Sequence, residues 1–184
     1  MENRRGMMKS FLYENLRDLM QKNMFEKITI RQICEETGVI HATFYNYFED
    51  KYDCLNCIVY HDIAEGMLAS IDDGTVSLAL EGMLKNIEDN RAFYRIAYNV
   101  TGQNSFEDMI RNNLALVFRE YLGRYRKPGT LEKYSNDLLA RYYAECVAFD
   151  IREFVFRKDS TEGIREMRQM IIDLMSASLS DLLR

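Results

Sequence analysis

A chain of 184 residues that is 47% hydrophobic and 29% charged, with a single proline, has room for a real core and excludes the disordered and fibrous classes. No apolar run approaches the roughly 18 residues of a membrane span, and no apolar stretch follows Arg4 and Arg5, so neither a membrane helix nor a signal peptide is expected and the cytoplasm is the expected compartment. The net charge of −5 excludes a protein that coats nucleic acid through bulk charge; residues 1–51 hold eight basic and eight acidic side chains, and the remainder sixteen and twenty-one.

Met8, Phe11, Leu12, Leu16, Leu19 and Met20 recur at three- and four-residue steps, which predicts a helix over about 7–22 with these residues on one face. Asn23 follows as a left-handed stop. Thr29-Ile30-Arg31-Gln32 has the S/T-x-x-Q form of a capping box, so a second helix starts there, carries Ile30, Ile33 and Cys34 inward, and ends at Gly38. A third short helix, His41 to Tyr47, precedes the polar break Glu49-Asp50. Two short helices around a glycine-containing turn make a helix-turn-helix. Phe44 and Phe48, four apart, share a core face, whereas Tyr45 and Tyr47 lie opposite it.

A fourth helix is expected from Lys51 to about Ile71, through Leu55, Ile58, Val59, Ile63 and Met67. Others follow at about 75–89, 90–99, 105–126, 131–157 and 160–183, with breaks at Thr101-Gly102, Lys127-Pro128-Gly129 and Lys158-Asp159-Ser160. No period-two strand pattern competes. The expected fold is all-α: a three-helix helix-turn-helix domain over 1–50, then a larger helical domain over 51–184, about nine helices in total.

The cysteines at 34, 54, 57 and 146 are too few and scattered for a disulfide framework. Cys54-x-x-Cys57 lies inside a helix with no second Cys/His pair near it, so small buried hydrophobes are expected rather than a metal site; a thiol-based sensor is the rival reading. His61 and Glu65, one turn apart, are too unspecific for a metal. With no H-E-x-x-H, no G-x-S-x-G and no phosphate-cradling glycine loop, neither an enzyme nor a cofactor is expected. The aromatic residues Tyr60, Phe93, Tyr94, Tyr98, Phe118, Tyr121, Tyr142 and Tyr143 are candidates to line an effector pocket, because buried phenols need partners. The helix over 131–157 is apolar on more than one face and must be covered on two sides. A homodimer interface through Phe149 and Phe154, with Ile164, Met167, Ile171, Leu174 and Ser178 of the last helix, meets that need.

The block from Phe25-Glu26-Lys27-Ile28-Thr29-Ile30-Arg31-Gln32-Ile33-Cys34 through Gly38-Val39-Ile40-His41-Ala42-Thr43-Phe44-Tyr45-Asn46-Tyr47-Phe48-Glu49-Asp50-Lys51 closely resembles the DNA-binding signature of the TetR family. The likeness covers about 45 residues with the first helix; beyond it, only length and helical character match, along with Asn90-Arg91-Ala92-Phe93-Tyr94. It departs at Asn23, where family members usually carry glycine. The resemblance implies a homodimeric regulator of operator double-stranded DNA, most simply a repressor released by a small-molecule effector; a helix-turn-helix adaptor that has lost DNA binding is an alternative. In a helix-turn-helix the second helix enters the major groove, which puts His41, Ala42 and Thr43 nearest the bases, with Asn46 on the same short helix. Arg31, Tyr45, Tyr47 and Lys51 resemble the family's phosphate-contacting positions. Arg4 and Arg5 are candidates for a flexible arm. No arginine or glutamine lies in the third helix, so DNA shape and paired half-sites are expected to carry part of the specificity.

Overall fold

The structure is a computed structural model and describes residues 2–73, 76–129, 131–158 and 161–176. All of its regular elements among these residues are helical: α1 (Glu2–Lys22), a 3-10 turn (Phe25–Lys27), α2 (Ile30–Thr37), α3 (His41–Tyr45), α4 (Lys51–Val59), a π-helical stretch (Tyr60–Glu65), α5 (Gly66–Ala69), a second 3-10 turn (Ile71–Asp73), α6 (Val76–Asp89), α7 (Arg91–Ala97), α8 (Phe106–Tyr125), α9 (Asn136–Phe156) and α10 (Thr161–Ser176). The chain divides into two compact units, Met1–His61 with Ala92–Met109, and Asp62–Arg91 with Ile110–Arg184.

In the first unit α1 packs on α2 and α4, and α2 on α3. Leu12, Leu16 and Met20 of α1 are buried with Ile33 and Cys34 of α2, Phe44 of α3 and Cys54, Leu55 and Ile58 of α4. Phe11, expected on the buried face, is exposed instead, because the stripe settles on Leu12, Leu16, Leu19 and Met20. Asn23 is not left-handed: Leu131 is the non-glycine residue with positive φ among the described residues. Asn23 ends α1 with its side chain, Nδ2 donating to the Leu19 carbonyl at 3.1 Å beside its own backbone N–H at 2.9 Å. Arg17 is buried with its guanidinium 4.9 Å from the Phe93 ring centroid and 3.3 Å from Glu14, so α7 belongs to this unit through its aromatic residues.

In the second unit α6 packs on α5, α9 and α10, and α9 on α10. The helix expected from 131 starts at Asn136. Ser135 caps it by accepting from the Leu138 N–H, and the Arg126 guanidinium holds the preceding loop by donating to the carbonyls of Leu131 (2.6 Å) and Tyr134 (3.0 Å) and to Asn136 Oδ1 (2.6 Å). Leu131, at φ 53°, has the wrong backbone for a helix start. The end expected at 183 lies outside the described residues. The fourth helix, expected to run unbroken to Ile71, carries the π-helical stretch, a one-residue insertion in the helical turn, and then closes as α5. Taking Lys51–Ala69 as one interrupted helix, nine helices occupy the described residues.

Candidate nucleic-acid interface

The site is built from local signals. Thr29 closes the capping box in both directions: the Gln32 N–H donates to Thr29 Oγ1 at 3.2 Å, and the Thr29 N–H donates to Gln32 Oε1 at 2.8 Å. Two otherwise orphaned donors at the start of α2 are thereby satisfied. Gly38 ends α2 at φ 71°, the left-handed region, with its N–H on the carbonyls of Cys34 and Glu35, and the Val39 N–H donates to the Cys34 carbonyl at 2.9 Å. Only this reversal lets α3 begin three residues after α2 stops.

α3 is five residues long and gains its rigidity from packing rather than from its own hydrogen bonds. Phe44 is fully buried and meets Phe48 with ring centroids 5.4 Å apart. That anchor turns the opposite side outward: His41, Ala42, Tyr45 and Asn46 are exposed, and Thr43 and Tyr47 half-buried. Tyr45 is 56% exposed, its ring edge-on to Phe44 at 5.7 Å, so the hydroxyl is carried on a fixed ring. Ile40, the residue before α3, is 71% exposed and joins this surface. Sequence reading missed it because an isoleucine beside a turn reads as core; its place just after Gly38-Val39 was the usable signal.

Arg31 is exposed on α2, with Nε 2.7 Å from Glu35 Oε1, an ion pair that raises the guanidinium pKa. Such a surface pair exchanges readily for a phosphate. Lys51 is placed differently from its expected phosphate contact. Its ammonium donates to the carbonyls of Phe25 (2.8 Å), Glu26 (3.1 Å) and Ile28 (3.0 Å), which uses all three of its N–H groups. The same nitrogen lies 4.6 Å from the centroid of the Phe25 ring. Burial lowers the Lys51 pKa, opposed by the charges of Glu26 and Asp50. The side chains of Arg4 and Arg5 lie outside the described residues.

The other expected sites are redistributed. Phe93, Tyr94 and Tyr98 surround Phe106 in the first unit, at centroid distances of 6.1, 5.6 and 5.4 Å. Tyr60 is 37% exposed. In the second unit Tyr121 donates to the Met67 carbonyl at 3.2 Å, Phe118 packs on Tyr143, and Tyr142 is exposed. The eight aromatics are thus divided between the two units, and the buried Tyr121 hydroxyl is bonded to a backbone carbonyl. A cavity of about 450 Å³ lies within the first unit, at the ends of α1 and α7; Met20, Met24, Phe25, Ile96, Asn99 and Val100 help to line it, and none of the eight does.

Of the expected dimer residues, Phe154, Met167 and Ile171 are buried within the chain's own second unit and cannot face a partner. Phe149 and Leu174 are exposed. The Ile164 side chain and Ser178 lie outside the described residues. Cys54 is fully buried and burial pushes its thiol pKa far up, which disfavours the thiolate a sensor needs. Among the described residues no group of three or more His, Cys, Asp and Glu is placed to hold a metal, and no helix is long and apolar enough to cross a membrane.

Two short helices around a left-handed glycine, the second presenting its polar side outward from a phenylalanine anchor, define a helix-turn-helix DNA-binding protein. Family comparison gives the particular kind. A model described as bacterial regulatory proteins, tetR family, matches residues 12–58, and a TetR-type model described as transcriptional regulator C-terminal region matches residues 75–177, more than half of the chain. The chain belongs to the TetR family of transcriptional regulators. It is 25% identical over 166 residues, 89% of this chain and 86% of the relative, to the HTH-type dhaKLM operon transcriptional activator DhaS of Lactococcus lactis subsp. lactis (strain IL1403). Among solved structures it is similar to the dihydroxyacetone kinase operon activator DhaS, with TM-score 0.63, 20% identity, and coverage of 92% of this chain and 94% of that one. A putative TetR-family regulator from Syntrophomonas wolfei str. Goettingen matches with TM-score 0.69, 19% identity, and coverage of 96% and 95%. These structural likenesses establish the fold.

Proposed function

We propose that two copies of the chain bind a near-palindromic operator in double-stranded DNA, each presenting α3 to one major groove. His41, Ala42 and Thr43 meet base edges, Asn46 flanks them, and Tyr45, Tyr47 and Arg31 contact the sugar-phosphate backbone. The observation that carries this reading is the outward polar row of α3, held by the buried Phe44 and Phe48. Residues 1–50 form the reading head and residues 51–184 the regulatory and dimerising body, acting in the cytoplasm.

The homodimer is supported by a stripe on α9. Leu138, Tyr142, Phe149 and Phe156 are spaced four, seven and seven residues apart and are all exposed, as are Met170 and Leu174, one turn apart on α10. An apolar stripe along a 21-residue helix fits the two-fold self-contact that spaces paired half-sites about 34–36 Å apart.

Occupation of a promoter by this dimer represses transcription, and a small-molecule effector held in the helical body releases it. Release needs a difference in effector affinity between free and operator-bound states of about 1–3 kcal/mol. The Lactococcus relative is named an activator, which favours a second reading in which the bound dimer recruits transcription. Fluorescence anisotropy against DNA from upstream of its own gene and a scrambled control tests the binding; the expected result is preference for the native fragment by over about a hundredfold, at two subunits per site, with Tyr45→Phe weakening it. A reporter behind that fragment gives the sign. If no genomic or random-library DNA is selected by the protein, the operator reading fails.

A further inference from the structure

We propose that Lys51 is a positioning residue for operator recognition: it clasps the chain entering the helix-turn-helix to the chain leaving it, and so fixes the pose of α3 without touching DNA. This rests on the operator-binding reading above.

Two of the three carbonyls it holds, those of Phe25 and Glu26, belong to the 3-10 turn that leads into α2, and the third is that of Ile28 just after it; Lys51 is the first residue of α4, the next helix after α3. The bonds therefore span 26, 25 and 23 residues, closing the segment that contains both helices and the Gly38 turn. The clasp is seated on both sides. Phe25 is buried and meets Tyr52 edge-on at 4.9 Å, and the ammonium lies over the Phe25 ring at 4.6 Å and 5.9 Å from the Tyr52 centroid. On the exit side Asp50 fixes the start of α4 by accepting from the N–H groups of Tyr52 (2.7 Å) and Asp53 (2.8 Å), and the Asp53 carboxylate accepts from the Glu49 N–H at 3.0 Å.

A lysine suits this place because three donors radiate from one atom toward three carbonyls. A guanidinium spreads planar donors over a wider fork and cannot converge on the same point. A lysine used on phosphate tolerates that exchange, because either cation neutralises the same charge.

The experiment uses the full chain and a duplex enriched by the wild-type protein from a random-sequence library, with a scrambled duplex as control. Affinities of wild type, Lys51→Met and Lys51→Arg for both duplexes are measured across a salt series, well below each protein's melting temperature. The clasp predicts that both variants lose about tenfold or more in the ratio of enriched to scrambled affinity, while the slope of log affinity against log salt is unchanged, because no phosphate contact has been removed. Lys51→Arg carries the test alone if Lys51→Met does not fold. The proposal is overturned if Lys51→Arg retains wild-type selectivity, or if Lys51→Met flattens the slope by about 0.9 per subunit and weakens both duplexes alike. A lower melting temperature with unchanged affinities also overturns it, since the lysine would then support the fold alone. A wild-type protein that enriches no sequence refutes operator binding itself and this role with it.

Discussion

Gly38→Ala isolates the backbone requirement of the turn. A Cβ at Gly38 meets nothing within 4 Å, so no steric clash contributes, and the cost is that of holding an L-residue at φ 71°. That cost is about 1–2 kcal/mol, offset by roughly 0.4–1 kcal/mol from the lower entropy of the unfolded alanine chain. A net loss of about 1 kcal/mol lowers the melting temperature of a chain this long by about 2–4 °C. Gly82 supplies the opposite sign. It is exposed in the middle of α6, a Cβ there also meets nothing within 4 Å, and its backbone is helical. Gly82→Ala is therefore stabilising by about 0.5–1 kcal/mol. Thermal unfolding by circular dichroism at one fixed protein concentration reads both. Gly38→Asn should fall between wild type and Gly38→Ala, since asparagine visits the left-handed region. A Gly38→Ala protein that melts at or above wild type would refute the reasoning, because the helix-turn-helix would then close without a left-handed residue.

Cys54 should resist alkylation by N-ethylmaleimide in the native protein and react only after unfolding; rapid native labelling at this position, read by mass spectrometry, would reinstate the thiol-sensor reading. Its raised pKa also sets a pH dependence: the folded state holds the proton more tightly, so this contribution to stability is complete below the ordinary thiol value of about 8.5 and declines as pH rises beyond it. Cys54→Ala should flatten the fall in melting temperature above about pH 9. Phe149→Glu together with Leu174→Glu should convert dimer to monomer in sedimentation equilibrium with the helical spectrum intact; a dimer that survives both places the interface elsewhere. Arg31→Ala should reduce the salt slope of operator binding by about 0.9 per subunit, and Glu35→Gln, which frees the Arg31 guanidinium, should tighten binding at low salt. An unchanged slope in Arg31→Ala would remove Arg31 from the phosphate contacts.

The fold was legible where its causes are local. The capping box at Thr29 and Gln32, the left-handed turn at Gly38 and the Phe44–Phe48 pair all act within four residues, and each is where the pattern put it. Features that depend on distant partners were not. The start of α9 is set by Arg126 reaching forward over the loop, and no periodicity reports that. The π-helical stretch escaped because one inserted residue shifts an apolar stripe too little to break its pattern. Asn23 was read as a backbone stop when its side-chain amide does the capping, a choice open to asparagine but not to glycine.

The same division separates the two halves of the functional reading. The exposed residues of α3 follow from the position of their buried neighbours on a short helix, so sequence alone sorts Tyr45 from Phe44. In α9 and α10 the sequence shows only that apolar surface exceeds one face; which stripe goes inward depends on the neighbouring helices, and Phe154, Met167 and Ile171 went inward while Phe149 and Leu174 did not. Tyrosine content is ambiguous for a related reason: a buried phenol needs a partner, and at Tyr121 the backbone carbonyl of Met67 serves. Lys51 joins both lessons. Its position in the motif is a sequence fact, whereas its bonding to residues 23 to 26 positions earlier is a fact of tertiary structure. With Lys51 turned inward, Arg31 is the arginine or lysine left among the residues proposed for the interface, beside His41, Ala42, Thr43, Tyr45, Asn46 and Tyr47. Affinity must then lean on neutral hydrogen bonds and on two half-sites engaged together, so loss of the dimer should weaken operator binding far more than loss of any one side chain on α3.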